Sequence, residues 1–355
     1  MKATVSAALL SAMAVSAAPG LVLDVNGPSS AVGVDGLTVT AVLKNTGSES
    51  LKLLNDPRTV LSKAPTDTFS ITSESGSPNF TGIKLKYVPA TAAAVGKESQ
   101  FTVLAPGESV EVSHSLAGVY NFTQAGEGSY KFAANNLFNY VDASGELKTI
   151  EASSNSNQFK LSGKLVAPST RLAKISRSKR AVSYTGCSSS QQTIVSAAAT
   201  ASNTYVANAN TYLSGISSGT TRYTTWFGSY TASRLSTVRS HFTAIGTDAT
   251  STNYDCTTCQ NTSGIDYDST YAYVYSDEPG TIYLCGVFWD APVTGTDSRA
   301  GTIVHENSHF EVNGGTSDWV YGQTSAKSLA SSNPTRAIDN ADNHEYFAEN
   351  NPALS

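Results

Sequence analysis

Histidine, cysteine and charge are scarce in this chain of 355 residues. It contains five histidines and four cysteines, and charged residues make up only 14% of it. All four cysteines follow residue 186, so the first half can form no disulfide and can offer no thiolate to a metal. The formal net charge of −5 gives no indication of nucleic-acid binding. Apolar runs are also short, and none reaches the roughly 20 residues that a membrane-spanning helix needs.

The first 18 residues have the composition of a secretory signal peptide. Met1-Lys2 is a short charged region, residues 3–14 are mainly small and apolar, and residues 15–18 provide the small side chains of a cleavage site. We expect cleavage near Ala17 or Ala18 and a secreted, extracellular product. A membrane anchor is the alternative, and the short apolar run disfavours it.

Residues 19–168 have the pattern of an all-β module. Six segments alternate or run apolar between clusters of Gly, Pro, Asn and Ser, namely residues 21–25, 37–43, 69–72, 83–87, 109–114 and 130–133. This spacing predicts a β-sandwich. His114 is the only histidine of the module, and a surface position on a strand is its simplest interpretation.

A basic linker, residues 171–181, follows this module and contains the dibasic pair Lys179-Arg180. The composition changes here, which favours processing after the pair, with residues 19–180 as a propeptide and residues 181–355 as the mature domain. An ordinary solvated basic segment is the alternative. Residues 181–355 hold six Lys and Arg against fifteen Asp and Glu, whereas the first 180 hold 17 against 13. Opposite charges fit a propeptide that inhibits its own second domain or assists its folding, although unrelated domains can also differ in charge.

The second domain opens with helical patterns. Residues 188–213 and 224–245 carry apolar side chains at helical spacings, which predicts two helices, the first capped by Ser188. Strand patterns at residues 271–275 and 280–284 predict a hairpin whose edge can bind an extended peptide. The cysteines are Cys187, Cys256, Cys259 and Cys285. The C-x-x-C spacing fits a redox pair or a metal site, but an even count in a secreted chain favours disulfides, in any of three pairings.

The most specific motif is His305-Glu306-Asn-Ser-His309, which follows an apolar lead-in at residues 301–304. Residues four apart lie on one face of a helix, so the two imidazoles can bind one zinc ion. Glu306 lies beside them and can act as general base toward a water that attacks a peptide carbonyl. A pair of structural histidines is the alternative, which the scarcity of histidine disfavours.

A catalytic zinc site needs a third protein ligand. Val312 stands where the metzincin pattern requires glycine, so that pattern is absent. Asp318 follows Gly314-Gly315, which allow a tight reversal that returns a short carboxylate toward the metal. The other downstream candidates are His344, Glu345 and Glu349.

The zinc motif and the later Gly315-Thr-Ser-Asp318-Trp-Val-Tyr321-Gly322 together resemble the aspzincin, or deuterolysin-type, metalloendopeptidases. Within that family the chain is most similar to the fungal peptidyl-Lys metalloendopeptidases, over roughly residues 184–355. The resemblance implies His305, His309 and Asp318 as zinc ligands and Glu306 as general base. It implies Tyr321 as a hydrogen-bond donor to the transition state, and the disulfides Cys187–Cys256 and Cys259–Cys285.

Asp342 and Glu345 are three residues apart, a spacing that sets both carboxylates on one face of a helix. Two carboxylates so close favour a cation between them, and the resemblance implies a pocket for a substrate lysine. The alternative is a capping box, with Asp342 as the N-cap and Glu345 at the third helical position. We expect cleavage on the amino side of lysine, and lysine preferred over arginine because a compact ammonium suits a narrow pocket.

These observations predict an α+β zincin-like catalytic domain, mostly helical with a small β-hairpin or sheet, behind an all-β sandwich-like propeptide domain. The predicted function is a secreted, monomeric zinc endopeptidase with one zinc ion per catalytic domain, made as an inactive precursor. Its expected partners are protein and peptide substrates and its own propeptide, without nucleic acid or membrane. A deuterolysin-like protease of broader or different specificity is one alternative. A secreted binding module with structural zinc is another, disfavoured because only three ligands are evident beside a glutamate.

Overall fold

The computed structural model describes residues 20–167, called the first domain below, and residues 181–355, called the second domain. The predicted signal peptide, residues 1–18, and the predicted processing site, Lys179-Arg180, lie outside the described residues. Within the two described stretches, no helix combines the length and the apolar composition needed to cross a membrane.

The first domain is built mainly of strands. They are β1 (Leu21–Asn26), β2 (Ser30–Val32), β3 (Thr38–Asn45), β4 (Leu51–Leu54), β5 (Phe69–Thr72), β6 (Asn79–Phe80), β7 (Lys84–Tyr87), β8 (Phe101–Leu104), β9 (Ser109–Ser115), β10 (Tyr120–Asn121), β11 (Gly128–Ala134), β12 (Leu137–Val141), β13 (Leu147–Glu151), β14 (Ser153–Ser154) and β15 (Asn157–Ser162). One helix that the sequence analysis missed, α1 (Pro89–Val95), interrupts them, so the domain is not purely β.

Three four-stranded sheets organise this domain, in the strand orders β14-β1-β3-β9, β2-β15-β11-β5 and β13-β12-β4-β8. Alternating side chains from all three sheets meet in one hydrophobic core, to which Leu23, Phe132 and Phe138 contribute. His114 on β9 also faces inward and its Nε2 lies 3.0 Å from the Val60 carbonyl oxygen. The predicted surface position for His114 is therefore wrong, because its side of β9 packs against the core.

Strand β7 leaves the first domain and joins the sheet of the second. It pairs antiparallel with β18 (Thr270–Val274), with Lys86 opposite Ala272 and Leu85 opposite Tyr273. The resulting five-stranded sheet has the order β16-β17-β19-β18-β7, where β16 is Ser183–Thr185, β17 is Asn253–Asp255 and β19 is Thr281–Leu284. The predicted hairpin is present as β18 and β19, and β7 occupies its edge.

Helices are the main secondary structure of the second domain. They are α2 (Ser189–Gly215), α3 (Thr221–Phe227), α4 (Ala232–Ile245), α5 (Gly286–Asp290), α6 (Arg299–His309), α7 (Gln323–Ser332), α8 (Pro334–Ala337) and α9 (Ala341–Glu349). Ser188 caps α2 in a capping box with Gln191, as its sequence position predicts. The chain therefore mixes helix and sheet, and all of its described α-helices except α1 belong to the second domain.

The single helix predicted over residues 224–245 is wrong, because Gly228 divides it into α3 and α4. Gly228 has a φ of 73°, a conformation that ends helices and favours glycine. A Cβ at this position would lie 2.1 Å from the carbonyl oxygen of Ala330. Apolar periodicity continues across the break because both helices bury side chains in the same core, to which Trp226 and Phe242 belong.

Helix α6 is the central element of the second domain. It packs against α2, α9 and β18, and residues 300–309 are all buried. Ile303 belongs to one hydrophobic core and Val304 to another. Because α6 lies between two cores, its polar side chains are held inside the protein rather than at its surface.

Candidate active site

The start of α6 is held by the end of α9. Ser298 caps α6 by accepting a hydrogen bond from the Gly301 amide, and Glu349 accepts from both the amide and the hydroxyl of Ser298. A Cβ on Gly301 would lie 2.1 Å from a Glu349 carboxylate oxygen, so only glycine permits this contact. Glu349, one of the candidate third ligands, therefore anchors the helix instead of facing the histidines.

Three potential metal-binding atoms meet at the other end of α6. The Nε2 atoms of His305 and His309 each lie 3.3 Å from Oδ1 of Asp318. All three atoms are buried and find no hydrogen-bond partner among the described residues. Unpartnered buried polar atoms are costly unless something binds them. Two imidazoles and one carboxylate match the three-ligand set of a catalytic zinc site, so these residues fit a zinc ion.

Asp318 reaches the histidines because the chain reverses directly after α6. Gly315 takes a φ of 61°, and the Thr316 amide donates back to the Ser308 carbonyl. Asn340, just before α9, then accepts a hydrogen bond from the Trp319 amide at 2.8 Å. The tight reversal expected from the glycines is present, and α9 fixes the loop that carries Asp318.

The second nitrogen of each histidine is also oriented. Nδ1 of His309 lies 2.8 Å from the Thr316 carbonyl oxygen, and Nδ1 of His305 lies 3.0 Å from Asp342 and 3.3 Å from Glu345. The hydrogen bond of His309 fixes the orientation of its ring, and the two carboxylates lie close enough to Nδ1 of His305 to attract it. Burial lowers the pKa of His309, which favours the neutral form that binds a metal. Burial raises the pKa of Asp318, but His309 and His305 outweigh this and hold it well below its ordinary range.

His344, a chemically plausible third ligand, is already engaged elsewhere. Its Nε2 lies 3.0 Å from Nδ1 of His241, and its Nδ1 lies 3.0 Å from the Asn340 carbonyl oxygen. Both ring nitrogens are therefore used within the protein. His305, Asp342 and Glu345 form a second group close enough to hold a metal. We favour the group with Asp318, because the ammonium of Lys86 occupies the space between Asp342 and Glu345.

Glu306 lies in the same cluster and is fully buried. One carboxylate oxygen accepts a hydrogen bond from the Lys86 amide at 3.0 Å, and the other has no partner in the described part of the chain. Burial raises the pKa of Glu306 well above its ordinary value, although His305 opposes this. A carboxylate with raised proton affinity beside a metal site is suited to accept a proton from water.

Tyr321 lines a small cavity together with Asp318. Its ring packs edge-on against Tyr87 at 5.6 Å, and the Arg58 guanidinium lies 4.7 Å from its ring centre. Burial raises the pKa of Tyr321 well above its ordinary value, so its hydroxyl keeps the proton and can donate a hydrogen bond. Tyr87 and Arg58 belong to the first domain, which therefore covers this side chain.

Asp342 and Glu345 form one wall of an acidic pocket that holds the side chain of Lys86. The Lys86 ammonium lies 3.2 Å from Asp342, 2.7 Å from Glu345 and 3.1 Å from Asp297. Tyr346 completes the pocket, with its hydroxyl 3.3 Å from the ammonium. Burial lowers the pKa of Lys86, but Asp342 and Glu345 outweigh it and raise the value well above the ordinary one.

The capping interpretation of the acidic pair is wrong, because Asn340 is the N-cap of α9. Asp342 instead accepts a hydrogen bond from the Gly322 amide at 2.6 Å, which ties the pocket to the loop after Asp318. Sequence reasoning missed Asp297 and Lys86. The only sequence feature that marks Asp297 is its position beside the cap of α6. Nothing in the sequence distinguishes Lys86 from the other lysines of the first domain.

Two disulfides connect the four cysteines, and none is free. Cys187 pairs with Cys256 and Cys259 pairs with Cys285, the pairs that the resemblance implies. The first links the residue before the N-cap of α2 to the residue that follows β17, and the second links the next turn to the residue that follows β19. Both stabilise the sheet to which β18 belongs.

Three comparisons place the chain among known proteins. The sequence model of the aspzincin M35 family, described as lysine-specific metallo-endopeptidase, matches residues 212–349. A peptidyl-Lys metalloendopeptidase of Grifola frondosa is 51% identical with all of both chains covered, and an extracellular protease of Aeromonas hydrophila is 34% identical with 99% of both covered. A peptidyl-Lys metalloendopeptidase of Pleurotus ostreatus is 56% identical over 173 residues, which are 48% of this chain and 99% of the relative.

Among solved structures, the zinc peptidase of Grifola frondosa matches with 55% identity and a TM-score of 0.45, covering 48% of this chain and all of that one. Identities of 51% and 34% over nearly the full length of both chains show the family. The chain belongs to the aspzincin M35 family and is a metallo-endopeptidase.

Proposed function

We propose that the second domain is a zinc-dependent endopeptidase that hydrolyses peptide bonds on the amino side of lysine, with one zinc ion per domain. The observation that carries this proposal is the convergence of three unpartnered metal-binding atoms beside Glu306. The acidic pocket lies next to them, since His305 contacts both the metal-binding cluster and the pocket carboxylates. Metal site and lysine pocket thus share one wall.

Each residue of the site has a separate role in the proposed reaction. His305, His309 and Asp318 would hold the zinc ion, which would supply a Lewis acid for the scissile carbonyl. Glu306 accepts a proton from the attacking water and returns it to the leaving amine nitrogen. Tyr321 donates a hydrogen bond to the negative charge that develops on the carbonyl oxygen. His305, His309, Glu306 and Tyr321 are buried and the Asp318 side chain is only 12% exposed, which strengthens their electrostatic effect on the reacting atoms.

Specificity follows from the charge and shape of the pocket. Asp297, Asp342 and Glu345 together neutralise an ammonium that is removed from water, as they do for Lys86. An apolar substrate side chain bound in place of lysine would leave these carboxylates without a counter-charge. Lysine fits because its charge is compact and sits on a flexible stem, whereas the arginine guanidinium is broad and planar.

The direct test is a digest of denatured proteins with the mature second domain, followed by identification of every new amino terminus. We expect lysine at nearly all of them and arginine rarely. We expect a metal chelator to stop the reaction and added zinc to restore it. New termini spread over many residue types would instead favour the broader, deuterolysin-like alternative.

We also propose that the chain is secreted and made as a precursor whose mature part begins near Ala181. The composition of residues 1–18, the two disulfides and the word "extracellular" in the name of the Aeromonas relative support secretion. The Pleurotus relative, almost wholly aligned over 173 residues, has about the length of residues 181–355, which supports the boundary.

Cutting the precursor after Arg180 is expected to release peptidase activity from a chain that is poorly active before the cut. The reason is that the first domain covers Glu306 and Tyr321 until the linker is cleaved and the domain leaves. Amino-terminal sequencing of the product, with peptidase assays before and after a protease specific for dibasic sites, measures this. An uncut precursor as active as the mature enzyme would contradict the proposal.

A further inference from the structure

Strand β7 lies in the cleft in the manner of an extended peptide. It adds to the free side of β18 by antiparallel pairing, with Leu85 opposite Tyr273 and Lys84 opposite Val274. Addition of a strand to a sheet edge is a general way in which proteins bind extended peptides. The edge at which we expect substrates to bind is therefore taken by a segment of the same chain.

The side chain of Lys86 fills the pocket proposed for the substrate lysine. It is fully buried, and its ammonium contacts the three pocket carboxylates and the Tyr346 hydroxyl. Lys86 comes from the first domain, so these contacts join the two domains. A second lysine side chain cannot enter the pocket while Lys86 is there.

The backbone of β7 reaches the catalytic groups as well. The Lys86 amide donates to Glu306 at 3.0 Å, and the Leu85 amide donates to Asp318 at 3.1 Å. In the proposed reaction Glu306 returns a proton to the amide nitrogen of the lysine that follows the cleaved bond. The Lys86 amide nitrogen therefore contacts the same carboxylate that this substrate nitrogen would contact.

We propose that the first domain inhibits the second as an internal pseudo-substrate, with Lys86 in the position of the substrate lysine. This inference rests on the proposed function, because it takes the acidic pocket to be the lysine subsite. Among the described residues, both groups able to hold a metal consist of second-domain side chains. The inhibition therefore works by occupying the cleft and not by supplying a ligand to the metal.

Neighbouring contacts hold this strand in place. The Lys84 ammonium donates to the carbonyl oxygens of Gly315 and Thr316, and the Arg58 guanidinium donates to that of Trp319. These cations meet the second domain around the Asp318 loop. The first domain thus presents these cations to the acidic second domain at the place where it covers the site, in agreement with charge complementarity.

The test compares full-length precursors that carry Lys86→Met or Lys86→Ala with the wild-type precursor. Peptidase activity is measured on a short fluorogenic peptide with one lysine, before the linker is cut, and gel electrophoresis after the assay confirms that each chain is intact. We expect both variants to be at least about tenfold more active than the wild-type precursor, since an unpaired buried charge cluster weakens the binding of β7. Lys86→Met keeps the unbranched stem and serves if Lys86→Ala folds poorly.

Lys97→Ala is the matched control. Lys97 is another first-domain lysine in an ion pair with the second domain, 2.5 Å from Asp268, but both side chains are about half exposed. We expect its precursor to stay as inactive as the wild type, because an exposed pair contributes little.

A second control separates this inference from the proposed function and from misfolding. After the linker is cut, all precursors give a mature chain of identical sequence, so equal activity after cutting shows that each variant folded. A wild-type mature enzyme without lysine-directed activity would overturn the proposed function. Active mature enzyme from a Lys86→Met precursor that stays as inactive as the wild type before cutting would overturn the pseudo-substrate alone.

Discussion

Replacement of Glu306 by glutamine is expected to leave one zinc ion in the mature domain and to lower kcat by roughly 10²–10⁴-fold, the range typical of general-base catalysis. Glutamine keeps the size of the side chain, and the three proposed ligands His305, His309 and Asp318 are unchanged. The amide cannot accept the proton of the attacking water. Zinc analysis and a peptide assay on the same sample measure the two effects.

Asp318→Ala is the informative comparison for this variant. Loss of the Asp318 carboxylate removes a zinc ligand, so zinc content and activity should fall together. In Glu306→Gln, activity should fall while zinc content stays unchanged. Two of the other candidate ligands are engaged elsewhere, because His344 is paired with His241 and Glu349 with Ser298. Full activity in Glu306→Gln would show that Glu306 is not the general base. Unchanged zinc affinity in Asp318→Ala would show that another residue is the third ligand.

The second large effect is expected from the double variant Asp342→Asn/Glu345→Gln of the mature enzyme. The ammonium of a bound substrate lysine would lose two carboxylate partners. In the full chain the same two carboxylates lie 3.2 and 2.7 Å from the Lys86 ammonium. Truncation of a buried charge partner costs about 2–5 kcal/mol, which predicts a fall in kcat/KM for lysine peptides of roughly 30-fold to several thousand-fold. Kinetics on paired lysine and norleucine peptides measure the change in preference.

Zinc content must be measured beside these kinetics, because both carboxylates also approach Nδ1 of His305. Asp297→Asn provides a variant from another part of the pocket. Asp297 contacts the Lys86 ammonium and accepts a hydrogen bond from the Tyr346 hydroxyl at 2.6 Å. We expect a smaller loss of lysine preference with zinc content unchanged. Undiminished lysine preference in the double variant would show that the pocket does not select the substrate.

Local sequence was sufficient to predict an element wherever residues close together in the chain determine its conformation. The zinc-binding motif lies on α6 because its spacing of four residues and its apolar lead-in describe a buried helical face. Ser188 begins α2 because serine followed by glutamine at the third position satisfies the first amides. The split of α3 from α4 was missed, because the need for glycine at Gly228 comes from a distant carbonyl group at Ala330.

The sequence by itself determined the chemistry of this protein: which side chains can bind a metal, accept a proton or hold an ammonium, and that the aspartate after Gly314-Gly315 can return to the histidines. Only the tertiary structure decided what fills the site. Whether β7 pairs within its own domain or with β18 depends on which sheet edge is free, and an alternating strand pattern carries no such information. Likewise, Lys86 differs from other lysines only in the three carboxylates that folding brings around it from two separate segments of the second domain.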